Sequence, residues 1–199
     1  LANKHLKSLI VYMVKQKILL ITPNLNGVSN GVNRIQPPLG LMLIATSLEK
    51  AGHTVKIHDT ALEGWNTRKE ISSRGLIQIG QSDEEISNVI RDFNPSVLGI
   101  SVLFSNLLDS AYNIFKLAKK VNSKIVTIIG GNHVSNAVKD YEYNIVAKLP
   151  QLQDTITELE DENLDYAVIG ESDHAFLKII NNLGENKSIT ELPGVVKKI

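Results

Sequence analysis

The stretch that decides the fold is 97–131, VLGISVLFSNLLDSAYNIFKLAKKVNSKIVTIIGG. It opens on the apolar run Val97–Ser101 and continues as a segment from about Leu107 to Val121 with Ala111, Ile114, Phe115 and Ala118 on one helical face. It closes on a second apolar run, Lys124–Ile129, ahead of Gly130-Gly131. A strand, a helix and a strand at this spacing form a right-handed crossover unit with parallel strands. The nearly continuous apolar character of the second run implies burial on both faces. Both strands end in distinctive residues, Ser101-Val102-Leu103 in the first and Gly130-Gly131 in the second, with the 26 residues Phe104 to Ile129 between them. Small residues at neighbouring strand mouths let a ligand approach the backbone closely.

Working outward, Lys17 to Pro23 reads as another buried strand, followed by a loop, Asn24 to Gln36, rich in Asn and Gly. Pro37-Pro38 opens a helix with Leu41, Ile44, Ala45 and Leu48 at helical spacing, and Gly52 stops it. His53 to His58 alternates as a more exposed strand does, and Asp59 to Gly80 reads as irregular. Ser82 and Glu85 make a capping box for a helix that Asn94-Pro95 ends. Tyr166 to Ile169 is a fifth strand, Glu171 to Leu183 its helix, and Val195-Val196 a short edge strand. Ser135 to Asn163 is longer than one crossover needs. It is acidic from Asp154 to Glu162, and reads either as an extra helix with Ile156 and Leu159 as its apolar side or as a solvated run.

Strands alternating with helices imply an α/β fold whose parallel sheet is covered on both faces. The expected architecture is a doubly wound, flavodoxin-like (Rossmann-like) sheet of five parallel strands in the order 2-1-3-4-5. It occupies residues 17–199, with 1–16 as an N-terminal extension. Such sheets bind ligands at the carboxyl ends of the strands, at the switch point between strands one and three. Pro23, Ser101, Gly130 and Gly170 fall there.

Composition excludes several other roles. Lys+Arg and Asp+Glu are 21 each, so no global field draws the chain to nucleic acid or an anionic membrane, and neither is an expected partner. There is no cysteine, hence no disulfide, thiolate metal site or iron–sulfur cluster held by this sequence. No apolar run approaches the roughly 20 residues of a membrane span, and Leu1 to Tyr12 lacks the features of a signal peptide, so the expected location is cytoplasmic.

Ser101-x-Leu103, 26 residues, then Gly130-Gly131 resembles the second half of the cobalamin-binding fingerprint of methionine synthases and corrinoid mutases. The first half, Asp-x-His-x-x-Gly, is absent: none of the five histidines has glycine three residues later. A wider series resembles the N-terminal domain of cobalamin-dependent radical SAM enzymes. It runs from Pro37-Pro38-Leu39-Gly40-Leu41 through Leu48-x-x-x-Gly52-His53-x-Val55 and Pro95-x-x-x-Gly99-Ile100-Ser101 to Gly130-Gly131-x-His133, Asp165 and Gly170-Glu171. It covers roughly Lys17 to Val196. Where that family has Gly-Glu-Gly-Glu, this chain has Gly170-Glu171-Ser172-Asp173.

The resemblance implies a cobalamin-binding module with the nucleotide tail buried between strands, the corrin across the strand ends, and no protein ligand to cobalt. The residues it implies are Pro23, Arg34, Pro38, Leu39, Ser101, Val102, Leu103, Phe104, Gly130, Gly131, His133, Gly170 and Glu171. The family's Cys-x-x-x-Cys-x-x-Cys motif is absent, so no independent catalysis is expected. S-adenosylmethionine and a [4Fe–4S] cluster would be supplied by a further radical SAM methyltransferase domain or partner.

Each residue also has a plainer reading. Ser101 can be a small strand-end residue, Gly130-Gly131 a turn, Glu171 a helix-start carboxylate, and Arg34 and His133 solvated loop residues. A nucleotide-binding or regulatory module on the same fold is the alternative, although the chain has neither Gly-x-Gly-x-x-Gly nor Gly-x-x-x-x-Gly-Lys-Ser/Thr. An interaction module without a ligand is a third.

Overall fold

The computed structural model describes residues 14–72, 75–146, 159–170 and 173–197. Nine strands occur among them: β1 (Lys17–Thr22), β2 (Leu25–Val28), β3 (Thr54–Asp59), β4 (Arg68–Ser72), β5 (Leu76–Ile79), β6 (Val97–Ser101), β7 (Val126–Gly130), β8 (Tyr166–Val168) and β9 (Val195–Lys197). The helices are α1 (Leu39–Lys50), α2 (Thr60–Glu63), α3 (Asp83–Phe93), α4 (Leu108–Val121), α5 (Asn132–Val146) and α6 (Asp173–Gly184). A 3-10 turn at Ser105–Leu107 leads into α4.

The main sheet has six strands in the order β3-β1-β6-β7-β8-β9. The first five are parallel and β9 pairs antiparallel with β8. The expected five-stranded, all-parallel sheet is therefore corrected to a six-stranded, mostly parallel one. Val195-Val196 lies in its sixth strand, where three residues are enough to cap an edge.

A second sheet, β2-β5-β4, is antiparallel and was not anticipated. Its strands come from stretches read as loop and as irregular. All three are short: β4 and β5 pair locally with an irregular register, whereas Gly- and Asn-containing β2 pairs with β5 across some fifty residues, so local pattern carries little of its signal.

Central strands are buried on both faces: Ile18, Leu19, Leu20 and Ile21 of β1 are 0–1% exposed. Strand alternation sends Leu19, Ile21, Leu98 and Ile100 toward α3 and α4, where Ile86, Ile90, Ile114 and Phe115 meet them. Ile18, Leu20, Val97 and Ile128 face α1 and α6, against Leu41, Leu48, Ile179 and Ile180. Helices thus cover both faces.

Local signals terminate the helices. The Ser82 side chain accepts from the Glu85 N–H while Glu85 Oε2 accepts from the Ser82 N–H at 2.8 Å, and Asn94 ends α3 at φ +47°. Helix α5 begins at Asn132, just ahead of the stretch from Ser135 that is longer than one crossover needs, and runs into it. Leu159 is buried, whereas Ile156 and Asp154 lie outside the described residues.

At the amino edge, Asp165 ties β7 to β8. Its Oδ2 accepts from Lys119 Nζ at 2.6 Å and from the Thr127 N–H at 2.8 Å, and Thr127 Oγ1 donates to the Asn163 carbonyl at 2.6 Å. Thr127 is fully buried, so a methyl in place of its hydroxyl strands the Asn163 carbonyl. Thr127→Val is expected to lose about 1–3 kcal/mol, measured as a lower urea midpoint with unchanged slope.

Candidate functional site

The site begins with a backbone crossing. Ser101 and Gly130 are register partners at the ends of β6 and β7. Beyond them the Val102 N–H donates to the Gly130 carbonyl at 2.8 Å, and the His133 N–H donates to the Val102 carbonyl at 3.2 Å. Gly131 sits beneath at φ +108°. A Cβ there would press on the Val102 carbonyl oxygen and lie 2.8 Å from its carbonyl carbon and nitrogen. Gly170, at the end of β8, joins the same edge by donating its N–H to Ser135 Oγ at 3.0 Å. Ser135 is buried in the first turn of α5. Hydrogen bonds thus fasten the mouths of three strands together.

Behind this edge lies a cavity of about 390 Å³ between the sheet and helices α1 and α6. It exists because Gly99, in the middle of β6, has no side chain. A Cβ would stand 3.0 Å from Leu20 Cδ2 and 3.2 Å from Phe176 Cζ, both cavity-lining residues. Leu20, Ile128 and Val168 form apolar walls, and Leu41 and Ile44 come from α1. Ser101, Asn132 and Lys139 supply the polar groups.

Five of the thirteen expected residues line this cavity: Ser101, Leu103, Gly130, Gly131 and Gly170. Val102 is fully buried behind it and contributes through its backbone. His133 is half-buried at the start of α5, and Pro23 is buried at the end of β1. Leu39 and Phe104 are each 67% exposed at the same edge and stand outside the cavity.

Pro38 lines a separate cavity of about 460 Å³ beside α1. Arg34 lines another, of about 600 Å³, on the second sheet. Glu171 lies outside the described residues. Sequence reasoning missed Gly99, Ser135, Lys139 and Phe176 as site residues. For Gly99 the signal was present, since a glycine inside a buried strand marks a close approach.

Two histidines are committed to structure. The Gln16 N–H donates to His53 Nδ1 at 3.2 Å, so the ring proton on Nε2 is directed to Asn181 Oδ1 at 3.0 Å. His58 Nε2 lies 2.6 Å from Gln81 Oε1, and the Gln81 backbone is clasped by both amide atoms of Asn24. Beside it, Asp59 is 8% exposed and caps α2, its Oδ1 accepting from the Leu62 N–H at 2.9 Å. Burial pushes this carboxyl above its ordinary value of 3.8. The N–H groups of Leu62 and Ala61 and the charge of His58 pull it back, and Glu63 adds to the rise.

A mostly parallel sheet with a glycine-built cavity at its carboxyl edge defines a ligand-binding domain of the doubly wound α/β class. Within that class, residues 27–148 match the B12 binding domain family model, well over half of the chain, and the protein belongs to that family. Cytidylyl-2-hydroxyethylphosphonate methyltransferase of Streptomyces wedmorensis is 34% identical over 90% of this chain and 31% of its own length. The uncharacterized methyltransferase PH0819 of Pyrococcus horikoshii is 25% identical over 93% of this chain and 33% of its own. The chain therefore spans about a third of the length of these curated relatives. A cobalamin-binding protein from Desulfitobacterium hafniense DCB-2, of known structure, aligns with 60% of this chain and 45% of its own at 21% identity and a TM-score of 0.37.

Gly131→Ala combines a left-handed φ with a clash against backbone that has no room to move. It is expected to cost more than about 2 kcal/mol, seen as a lowered melting temperature. For Asp59 the sign follows from its raised value: the folded state binds the proton more tightly than the unfolded state. Its contribution to stability is present below 3.8 and lost as pH rises through the folded value. The stability of Asp59→Asn relative to wild type is expected to increase as pH rises above 3.8 and through the folded value, then level off, in urea titrations at each pH.

Proposed function

We propose that this chain is the cobalamin-binding module of a B12-dependent radical SAM methyltransferase type of enzyme, comprising residues 17–199 with 1–16 as an extension. The observation that carries the reading is the cavity opened by Gly99 immediately behind Ser101 and Gly130-Gly131. Its volume is in the range of small-ligand pockets, and its apolar walls suit an aromatic base. A side chain at 99 would fill it, and one at 130 would stand 3.4 Å from the Val168 carbonyl. These are the properties of a cradle for a flat nucleotide tail.

Each residue has a role in that reading. Ser101 directs its hydroxyl to the benzimidazole, whose ring lies against Leu20, Ile128 and Phe176. Lys139 provides a cation at the mouth for the tail's phosphodiester. Leu103, Leu39 and Phe104 give the exposed apolar edge on which the corrin rests. In this reading no histidine would be supplied to cobalt, in keeping with the absence of Asp-x-His-x-x-Gly; His53 and His58 are in any case held by Asn181 and Gln81. When bound, cobalamin supplies a cobalt centre able to accept and pass on a methyl group. S-adenosylmethionine and the [4Fe–4S] cluster belong to a further domain or partner, and the assembly works in the cytoplasm.

Incubation with hydroxocobalamin followed by desalting is expected to leave one corrin per chain by absorbance. No retained corrin at stoichiometric protein would sink the reading. Gly99→Val blocks the tail cavity. It is expected to abolish retention of cobalamin while affinity for cobinamide, which lacks the nucleotide, stays at the wild-type level. Ser101→Ala removes one hydrogen bond and is expected to weaken cobalamin about 3- to 10-fold.

A further inference from the structure

The carboxyl edge holds a second feature that the tail cavity does not use. Thr22 and Asp59 are register partners at the ends of β1 and β3. They follow Leu20 and Ile57 by two residues, so both side chains face the α1 side of the sheet. Thr22 Oγ1 and Asp59 Oδ2 are both buried and neither makes a hydrogen bond. Asp59 lines the cavity of about 460 Å³, whose other walls include Pro37, Pro38, Met42, Ile57 and Leu62. Two orphaned oxygens on adjacent strands are costly and call for an explanation.

Their placement supplies one. The two cavities flank the first turns of α1: Gly40, Leu41 and Ile44 border the tail cavity, while Pro38 and Met42 border this one. In the sheet, β3 is two strands from β6, a lateral distance of about 10 Å at ordinary strand spacing. A macrocycle anchored at Ser101 and lying across the strand ends brings its rim to Asp59. A carboxyl oxygen is an acceptor and a threonine hydroxyl is a donor. A primary carboxamide offers the matching N–H and C=O together.

Resting on the cobalamin reading above, we infer that Asp59 and Thr22 form a receptor for one carboxamide on the rim of the corrin, and that this pair selects amidated corrinoids over those with a carboxylate at that position. The amide N–H pairs with Asp59 Oδ2, and the amide carbonyl accepts from Thr22 Oγ1. The raised proton affinity of Asp59 agrees with this, since a buried carboxyl lacking a donor is what an incoming N–H relieves. A carboxylate in place of the amide would meet Asp59, with Glu63 on the same cavity wall, and be repelled.

The test uses cyanocobalamin and its isomeric monocarboxylates, in each of which one rim amide has been hydrolysed, with affinities measured by absorbance titration. Wild type is expected to bind one isomer at least about tenfold more weakly than cyanocobalamin. Asp59→Asn, which keeps an acceptor for the Leu62 N–H and can donate to a carboxylate, is expected to bring that isomer within about threefold of cyanocobalamin. Thr22→Val, of equal shape, is expected to weaken cyanocobalamin by about threefold or more. Equal binding of every isomer by wild type, persistence of the deficit in Asp59→Asn, or unchanged affinity in Thr22→Val would overturn the inference and leave the cobalamin reading standing. Failure of wild type to hold any corrinoid would instead overturn the reading on which it rests.

Discussion

The contact on which the rest depends is the passage of the Val102 backbone over Gly131. Two parallel strands normally diverge into separate loops once their ladder ends. Here the ladder is prolonged by the Val102 N–H to the Gly130 carbonyl, and the next peptide lies so close to Gly131 that no Cβ can be admitted. That closeness fixes where β6 stops and where α5 starts, because the same Val102 carbonyl accepts from the His133 N–H. Val102 itself is sealed into the opposite core, so the crossing is anchored from below by packing as well as from above by hydrogen bonds.

The cavity follows from subtraction. On the α1 side, Ile18, Leu20, Val97 and Ile128 carry branched side chains, whereas Gly99 in mid-strand and Gly130 at a strand end carry none. Close-packed interiors leave few voids larger than a water, so a space of this size beside an otherwise tight core represents forgone packing. The fold recovers stability at the other end of the sheet, where Asp165, Thr127 and Lys119 bind β7, β8 and α4 together. The two ends therefore divide labour, with polar staples at the amino edge and ligand space at the carboxyl edge.

Much of the main sheet was legible because its strands are apolar throughout and its helices carry clear period and punctuation: Pro37-Pro38, Gly52, the Ser82–Glu85 box and Asn94-Pro95. The sixth strand was legible only as Val195-Val196, since a three-residue edge has little room for pattern. The second sheet was not legible. Leu25-Asn26-Gly27-Val28 has no strand propensity of its own and becomes a strand by pairing with residues 76–79. Within the site, the strand-end residues Ser101, Gly130, Gly131 and Gly170 could be read from position alone. Arg34 and Pro38 could not, because the long connection after β1 carries them into two other cavities. Lys139 reaches the site from α5, which the residue pattern did not separate from the long stretch after β7, and Phe176 from α6, which was read to within two residues of its start but without a facing side.

The second sheet also changes how the edge moves. The connection after β1 would be a loop on its own, whereas the connection between β3 and α3 already carries α2 and the paired strands β4 and β5. Pairing β2 with β5 makes them one panel. Asn26 and Asn106 exchange side-chain-to-backbone hydrogen bonds, and Gln78 Nε2 donates to Ser110 Oγ, which rivets that panel to the start of α4. Neither connection swings open without carrying the other and pulling on the helix behind β6. The brace and the cavity therefore stand on opposite flanks of the edge, the brace beside α4 and the cavity between the sheet and helices α1 and α6.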